Sequence, residues 1–271
     1  MERGGEMPDE LRHIRKCWMF LINLIYPNVC PCCGSPISWR QYLCDTCIAA
    51  ITVPAETFCA GCGKPLETCL CGNDLAYDHA LVVTSYEEIA RKGVISLKAA
   101  ESLQFGWYCG EVLGKRVLAD ARLRTYDCIV PVPMARRKKW KRCCNPAEVI
   151  AKELASVTRI PMWTDLLLDS GRGAVQHTLT AKQRRENVSH FSARQKDLKG
   201  YRILLCDDVL TTGSTLNRCA ALLRACGAET VTVAVAASTR LRNSSDITSK
   251  NITIKMDDMH KEPISTERKR K

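Results

Sequence analysis

The sequence lacks any stretch long enough to cross a membrane as a helix. Its longest apolar run, residues 17–26 (CWMFLINLIY), has 10 residues, whereas a membrane-spanning helix needs about 20. Arg12, Arg15 and Lys16 precede this run, as basic residues precede the core of a signal peptide. Pro27 and a cysteine cluster follow it, however, where a small-residue cleavage site would stand. We therefore expect a cytoplasmic protein without a transmembrane segment.

Two signatures of nucleotide-binding folds are also missing. Neither the G-x-x-x-x-G-K phosphate loop nor the G-x-G-x-x-G dinucleotide fingerprint occurs, which argues against those two classes of protein. A hydrophobic content of 46% and a charged content of 25% exclude a disordered chain. The length of 271 residues allows one full domain and a smaller module, and the formal net charge of +11 favours anionic partners.

Cysteine, by contrast, is abundant and unevenly distributed. Nine of the 17 cysteines lie between residues 30 and 71, mostly in C-x2-C pairs, a spacing that aims two thiolates at one tetrahedral Zn²⁺. The predicted ligands form two quartets: Cys30, Cys33, Cys44 and Cys47, and Cys59, Cys62, Cys69 and Cys71. Because a thiolate fills every position, we expect one or two structural zinc ions.

The sequence leaves parts of this assignment open. The last pair, Cys69 and Cys71, has C-x-C spacing, which is tighter than usual. Spacing does not tell whether the quartets are sequential or interleaved, and Cys32 is either a spare thiol or a rival of Cys33. Disulfides are the alternative, but the other eight cysteines are scattered through apolar or helical contexts, as reduced cytosolic thiols are.

The chain divides into four predicted segments. They are a tail with an amphipathic helix (1–27), a double zinc-ribbon-like module (28–75), an α/β domain (76–240) and a disordered basic tail (241–271). In the α/β domain, apolar runs alternate with helical patterns, which predicts a parallel sheet flanked by helices. Strands are predicted at 80–86, 127–133, 201–206 and 230–237. Helices are predicted at 87–100, 106–118, 146–157 and 215–226.

The most informative stretch, YRILLCDDVLTTGSTL, covers residues 201–216. A buried strand delivers Asp207 and Asp208, whose carboxylates can accept hydrogen bonds from vicinal ribose hydroxyls. The hydroxyl-rich turn Thr211–Thr215 then opens a helix, whose N-terminal N–H groups and dipole suit a phosphate. Phosphate and diol recognition side by side predict a 5-phosphoribosyl site, whereas an ordinary helix cap would explain only one residue of the turn.

The segment CDDVLTTGST resembles the phosphoribosyl-pyrophosphate signature of type I phosphoribosyltransferases, in which two acids and T-T-G-x-T follow an apolar strand. The resemblance implies a type I phosphoribosyltransferase-like α/β fold. It assigns to the ligand the residues Asp207, Asp208, Val209, Leu210, Thr211, Thr212, Gly213, Ser214 and Thr215.

Three further segments resemble the ComF family, whose members carry an N-terminal cysteine module ahead of such a domain. SYEEIARKGVISLK (85–98) is similar to the family's tyrosine, helix and lysine segment, with Lys98 in the lysine position. VPVPMARRKKWKRCCNP (130–146) is similar to its V-P-V-P, basic run and R-G-F-N-Q, and QHTLTAKQRRENV (176–188) to its Q-x-x-L, R-x-x-N loop. The matching residues of these two segments are Arg142, Asn145, Gln176, Leu179, Arg184 and Asn187.

The second segment departs from the family at three positions. Cys143 and Cys144 stand where the family has Gly-Phe, and Pro146 stands where it has Gln. The Gly-to-Cys change adds a Cβ at a place where the backbone could approach pyrophosphate. Whether catalysis is retained therefore stays open at the level of sequence.

The basic run at residues 136–142 (RRKKWKR) has three interpretations. It follows a predicted strand, at the edge of a parallel sheet where ligands bind, so its Arg and Lys side chains can neutralise a pyrophosphate leaving group. It can also bind nucleic acid, with Trp140 as a stacking surface amid the positive charge. The third interpretation is a solvated basic loop. The first two are compatible.

The resemblance also implies a mechanism. Phosphoribosyl pyrophosphate binds with Mg²⁺, and Lys98, Arg136 and Arg137 stabilise the charge that develops on the departing pyrophosphate. The acidic pair holds the ribose, and the polar segment from Gln176 to Asn187 forms a mobile lid that excludes water. No residue identifies the acceptor. The alternative is a non-catalytic, phosphoribosyl-ligand-binding zinc protein that handles single-stranded DNA or works with the DNA-uptake machinery, as the family's link to DNA uptake suggests.

Overall fold

The computed structural model describes residues 28–69, 71, 74–120, 125–135, 140, 142–170, 191–194 and 196–240. The helix predicted within 1–27 and the tail predicted at 241–271 lie outside the described residues. Within the part of the chain that is described, no helix is long and apolar enough to cross a membrane.

The regular elements alternate between helix and strand along most of the chain. In order they are α1 (Asp45–Ile51), β1 (His79–Ser85), α2 (Glu88–Ala99), α3 (Gln104–Ala119), β2 (Cys128–Pro131), α4 (Pro146–Thr158), β3 (Leu167–Asp169), β4 (Phe191–Ala193), β5 (Arg202–Leu210), α5 (Ser214–Ala225) and β6 (Thr230–Ser238). Two short 3-10 turns, Ala55–Thr57 and Leu66–Thr68, lie in the cysteine-rich segment.

Four strands form a parallel sheet in the order β1-β6-β5-β2. The central pair, β5 and β6, is apolar on both faces, and residues 231–238 of β6 are all buried. Near-continuous apolar runs of this kind are typical of parallel strands that are covered on both sides. All four predicted strands and four predicted helices form, so the predicted parallel α/β fold is confirmed.

The sheet separates two layers of core. On one face, Leu97 of α2, Leu113 of α3 and Leu154 of α4 pack with the sheet residue Leu204. On the other face, α5 packs with the sheet residue Leu205 and with the two-stranded pair β3-β4. The cysteine-rich segment contributes to both layers, because Cys30 and Cys47 lie in the first and Phe58 lies in the second. The module is therefore packed into the α/β domain rather than tethered to it.

Helices α3 and α4 approach each other closely at a glycine. A Cβ built on Gly110 would stand 2.6 Å from the carbonyl oxygen of Ile150 and 2.6 Å from the Cβ of Glu153. Atoms at such a separation would clash, so glycine at this position permits the observed spacing of the two helices.

Two features of the fold were not predicted from the sequence. Strands β3 and β4 form a separate antiparallel pair, with Leu167 opposite Ala193 and Asp169 opposite Phe191. Helix α1 begins within the first cysteine quartet, where the Sγ of Cys44 accepts a hydrogen bond from the amide of Cys47 at 3.4 Å. Both elements are short, so neither gives a clear hydrophobic period in the sequence.

Candidate functional site

The acidic pair, Asp207 and Asp208, lies near the carboxyl end of β5. This strand is a central one, between β6 and β2 in the sheet. The amide of Asp208 donates a hydrogen bond to Oδ1 of Asp207 at 2.8 Å. The ammonium of Lys98, in the last turn of α2, lies 3.1 Å from Oδ2 of Asp208. Three predicted site residues therefore meet at one edge of the sheet, although Lys98 contacts the acidic pair itself.

The surroundings of Asp207 raise the pKa of its carboxyl group. Burial, followed by repulsion from Asp208, raises the pKa of Asp207 to about 8. The amide of Asp208 and the charge of Lys98 act in the opposite direction and lower this pKa. A carboxyl group with such a pKa is largely protonated at neutral pH, so a ligand that needs the carboxylate must release its proton.

Two residues of β5, Val209 and Leu210, separate the acidic pair from the predicted phosphate loop. Thr211 and Thr212 are exposed, and Gly213 adopts a left-handed backbone conformation with φ of 80° immediately before α5. The hydroxyls of Thr212 and Ser214 lie 3.0 Å apart, and the amide of Ser214 points to the Thr212 hydroxyl at 3.4 Å. The first amides of a helix have no acceptor within the helix, so this turn offers N–H and O–H donors to an anion.

Two residues of the predicted ligand set have another role. The side chain of Val209 packs in the core layer beside α2–α4, and the side chain of Leu210 packs in the opposite layer. Both residues pair with β6 as part of β5. A ligand at this edge could reach them only through the backbone.

The predicted pyrophosphate segment lies beside β5, because the amide of Val132 donates to the carbonyl oxygen of Cys206 at 2.8 Å. Asn145 is buried and caps α4: its Oδ1 accepts from the amide of Ala147 at 3.2 Å, and its Nδ2 donates to the carbonyl oxygen of Val132 at 3.0 Å. Its side chain thus supports the segment rather than facing a ligand. Arg142 is half-buried in the same segment.

Cys143, which stands where the family has glycine, has an unusual backbone conformation. Cys143 has a φ of 60°, a left-handed conformation that glycine adopts at no steric cost but that strains other residues. The chain therefore keeps, with a cysteine, the backbone conformation that suits the glycine of the family. Several predicted site residues lie outside the described part of the chain, namely Arg136, Arg137, Gln176, Arg184 and Asn187.

The structure brings the cysteines together in two sequential quartets. Cys30, Cys33, Cys44 and Cys47 form one quartet and Cys59, Cys62, Cys69 and Cys71 form the other, with the sulfur atoms of each within 4.8 Å of one another. Zn–S bonds of about 2.3 Å in a tetrahedron place the sulfurs about 3.8 Å apart. The observed separations of 3.3 Å (Cys59–Cys71) and 3.7 Å (Cys62–Cys69) are close to this value. The donor sets therefore fit structural zinc.

None of the described cysteines forms a disulfide, including Cys109 and Cys206 in the core. The disulfide alternative therefore finds no support in the described part of the chain. Cys32 is buried in the core layer beside α2–α4 and does not belong to the first quartet.

The two quartets begin with matched turns of sequence C-x2-C-G-x-P. In the first, the amide of Gly34 donates to the carbonyl oxygen of Cys30, and in the second, Gly63 donates to Cys59, both at 2.8 Å. Gly34 and Gly63 have φ of 78° and 71°, as their positions after the second cysteine of each pair suggest. An antiparallel bridge closes each turn at its proline.

One residue of the site, Lys64, was not predicted from the sequence. It lies in the second of these turns and is fully buried, with 0% of its surface exposed. Its ammonium donates hydrogen bonds to the carbonyl oxygen of Leu210 at 3.0 Å, to that of Thr239 at 2.8 Å and to that of Thr211. The signal in the sequence is the contrast with Ser35, the exposed residue at the same position of the first turn.

Known protein families match both the cysteine-rich segment and the α/β domain. Residues 21–78 match the double zinc ribbon domain, and residues 141–270 match the phosphoribosyl transferase domain. DNA utilization protein YhgH of Escherichia coli O157:H7 is 27% identical over 220 residues, which cover 78% of this chain and 96% of that protein. Competence protein F of Haemophilus influenzae is 27% identical over 214 residues, 74% of this chain and 93% of its own. The predicted resemblance to the ComF family, a cysteine module followed by a phosphoribosyltransferase-like domain, is thereby confirmed.

Among solved structures, purine phosphoribosyltransferase from Pyrococcus horikoshii Ot3 matches 51% of this chain and 80% of its own, with a TM-score of 0.32 and 18% sequence identity. The fold assignment rests instead on the sheet topology and on the domain matches.

Proposed function

We propose that this protein binds phosphoribosyl pyrophosphate with Mg²⁺ and transfers the phosphoribosyl group to an acceptor. One observation carries the proposal: Asp207 and Asp208 lie near the end of β5, and the turn after this strand leads through Gly213 into α5. A diol-binding acidic pair beside a phosphate-binding helix N-terminus matches the two ends of a 5-phosphoribosyl group. The match of residues 141–270 to the phosphoribosyl transferase domain supports the proposal.

Each group of the site has a task in the proposed reaction. The turn from Thr211 to Thr215 binds the 5′-phosphate, and the carboxylates of Asp207 and Asp208 accept hydrogen bonds from the ribose hydroxyls. The C1–O bond to pyrophosphate breaks, and pyrophosphate leaves with its electron pair. The acceptor forms the new bond to C1 with a lone pair and releases its proton. Mg²⁺, when bound, neutralises charge on the pyrophosphate, and the carboxylates of the acidic pair are of the oxygen-ligand type that Mg²⁺ prefers.

A titration of phosphoribosyl pyrophosphate and Mg²⁺ into the protein, followed by calorimetry, tests the proposal. We expect saturable binding by the wild type and a loss of about a hundredfold or more in affinity for a variant with Asp207→Asn and Asp208→Asn, since two charge-assisted contacts are removed. Asp165→Asn is the matched control, because it removes an exposed carboxylate far along the chain from the loop. Absence of binding by the wild type would refute the ligand assignment. Release of pyrophosphate with a panel of bases and amines then separates an enzyme from a binding protein.

A second candidate function is the handling of single-stranded DNA. The side chain of Trp140 is 90% exposed within the basic run, beside Arg142, and base stacking on an aromatic ring is worth about 1–3 kcal/mol per base. The names of the relatives, DNA utilization protein and competence protein F, support this candidate. It is compatible with the first.

Retention on immobilised single-stranded DNA tests the second candidate. We expect Trp140→Ala to weaken retention about tenfold and Trp39→Ala, which removes an exposed tryptophan of the cysteine-rich segment, to leave it unchanged. Equal retention of wild type and Trp140→Ala would count against a role of this loop in DNA binding.

A further inference from the structure

The ammonium of Lys64 joins its own turn to two stretches of chain that lie far from it in the sequence. It donates to the carbonyl oxygen of Leu210 at the end of β5, to that of Thr211 in the phosphate loop and to that of Thr239 after β6. A fourth contact, of 3.3 Å, reaches the hydroxyl of Thr239. The amide of Thr239 donates in turn to the carbonyl oxygen of Leu210 at 3.0 Å. Lys64 therefore fixes the backbone at which the phosphate loop leaves the sheet.

The surroundings leave this lysine little freedom. A Cβ on the preceding Gly63 would stand 2.7 Å from the Cβ of Ala80 and 2.9 Å from a methyl group of Leu210, so the turn lies directly against the sheet. The hydroxyl of Tyr77 donates to the carbonyl oxygen of Cys62 at 3.2 Å and anchors the same turn. Among the residues that the structure describes, no carboxylate lies within ion-pair distance of the Lys64 ammonium.

A buried ammonium without a carboxylate partner is costly unless other groups compensate its charge. The carbonyl dipoles do so in part. A zinc ion with four thiolates carries a net charge of about −2, and Cys62, a predicted ligand, precedes Lys64 by two residues. If it holds zinc, the second quartet would both shape the turn that carries Lys64 and offset its charge.

The matched first turn provides an internal comparison. Its equivalent residue, Ser35, is exposed, and its hydroxyl oxygen lies 3.3 Å from the Sγ of Cys33. A C-x2-C-G-x-P turn therefore does not itself require a buried lysine. The lysine of the second turn is explained by what it contacts, which is the base of the phosphate loop.

We propose that Lys64 is a positioning residue for the phosphate loop, through which the second cysteine quartet, when it holds zinc, sets the geometry of the phosphate site. The inference rests on the proposed function for the identity of the ligand. Its structural content, that Lys64 holds the loop, can be tested without any ligand.

Amide hydrogen exchange of the ligand-free protein is the primary test. The amides of Asn217 and Thr239 donate to the carbonyl oxygens of Gly213 and Leu210 and so report on the two ends of the loop. We expect exchange at both amides to be about tenfold faster in Lys64→Met than in the wild type. Lys199→Met is the matched control, since it removes an exposed lysine at the opposite end of β5. Unchanged exchange in a folded Lys64→Met variant would overturn the proposal. Should Lys64→Met fail to fold by circular dichroism, Lys64→Gln, which keeps two donors, takes its place.

Calorimetry with ribose 5-phosphate tests whether the position of the phosphate loop affects ligand binding. This probe lacks pyrophosphate and so reports on the phosphate loop and the acidic pair. We expect Lys64→Met to bind it about tenfold more weakly and Lys199→Met to bind it like the wild type. Wild-type affinity in Lys64→Met would contradict positioning of the phosphate site. A wild type that binds neither ribose 5-phosphate nor phosphoribosyl pyrophosphate would refute the proposed function, while hydrogen exchange would still decide the role of Lys64.

A third experiment tests whether the second quartet acts on the loop through Lys64. Cys71→Ser is introduced into the wild type and into Lys64→Met, and the zinc content per chain is measured. We expect Cys71→Ser to lower the zinc content by about one ion and to speed exchange at Asn217 in the wild-type background. In the Lys64→Met background it should add little, because both changes act through the same contact. Cys32→Ser, which changes a cysteine outside the quartets, should alter neither quantity. Equal acceleration by Cys71→Ser in the two backgrounds would show that zinc acts on the loop independently of Lys64.

Discussion

The ammonium of Lys98 lies 3.1 Å from Oδ2 of Asp208, while the neighbouring Asp207 has its nearest hydrogen-bond donor in the backbone. Lys98 thus places one positive charge beside two adjacent carboxyl groups. Since burial and the charge of Asp208 already raise the pKa of Asp207 to about 8, and the charge of Lys98 lowers it, the protonation state of Asp207 depends on Lys98.

Replacing Lys98 with methionine should therefore raise the pKa of Asp207 further. The charge of Lys98 lowers that pKa, and its removal takes away a cation that favours the ionised carboxyl group. Side-chain carboxyl resonances of Asp207, followed by NMR against pH, measure the effect. Lys92→Met, at an exposed position of the same helix, should leave the titration midpoint unchanged. An unchanged midpoint in Lys98→Met would contradict the expected coupling.

The raised pKa of Asp207 also predicts how stability depends on pH. In the unfolded chain an aspartate titrates near pH 3.9, so the folded state binds the proton of Asp207 more tightly than the unfolded state does. The bound proton therefore stabilises the folded state, and this stabilisation is fully present below about pH 3.9. It is lost as pH rises through about 8, by at most about 1.4 kcal/mol per pH unit.

Asp207→Asn removes this titration. The free energy of unfolding of Asp207→Asn should therefore rise relative to that of the wild type between pH 5 and pH 8.5, as measured by urea denaturation. Asp165→Asn, at an exposed ion pair with Arg194, should differ from the wild type by an amount that barely changes over the same range. A constant difference for Asp207→Asn would show that the Asp207 carboxyl does not titrate as described.

The sequence was sufficient to predict the strands of the sheet and the helices around it, because each strand is a distinct apolar run and each helix has a clear amphipathic pattern. It was insufficient for Lys64, whose partners Leu210 and Thr239 lie 146 and 175 residues further along the chain. A lysine between a glycine and a proline in a turn is expected to be solvent-exposed. Only the position of the sheet against which the turn packs shows that Lys64 is buried. Strand β5 also extends four residues beyond its predicted end at residue 206, since pairing with β6 keeps the acidic pair and the two residues after it within the ladder.

The two adjacent thiols Cys32 and Cys33 are expected to differ in metal binding. Cys33 lies with the other sulfurs of the first quartet, whereas Cys32 is buried in the core. Cys33→Ser should lower the zinc content from about two ions to about one per chain, measured by atomic emission on the purified protein. Cys32→Ser should retain both ions. Loss of zinc from Cys32→Ser but not from Cys33→Ser would reverse the ligand assignment.

The close approach of α3 and α4 predicts an unusual response to a glycine substitution. Alanine normally stabilises a helix interior relative to glycine by about 1 kcal/mol, but a Cβ on Gly110 would stand 2.6 Å from the carbonyl oxygen of Ile150. We expect Gly110→Ala to lower the free energy of unfolding by about 1–3 kcal/mol, since the helices must separate. Lys115→Ala, on the exposed side of α3, should change it by less than about 0.5 kcal/mol. A stabilised Gly110→Ala variant would show that the helices adjust at no cost.

The left-handed backbone at Cys143 predicts a stabilising substitution within the predicted pyrophosphate segment. A non-glycine residue pays about 1–2 kcal/mol for this conformation, whereas glycine adopts it freely but loses more entropy on folding. With φ of 60° at Cys143, Cys143→Gly should raise the free energy of unfolding by up to about 1 kcal/mol.

The adjacent Cys144 provides the control for this prediction. Its φ is not positive, so Cys144→Gly gains nothing from relieved strain and should lower the free energy of unfolding by about 0.5–1 kcal/mol. Equilibrium denaturation of the two variants and the wild type decides between these outcomes. If Cys143→Gly is destabilised as much as Cys144→Gly, then the side chain of Cys143 makes contacts worth more than the strain. The cysteine would then be a favourable replacement for the family's glycine rather than a tolerated one.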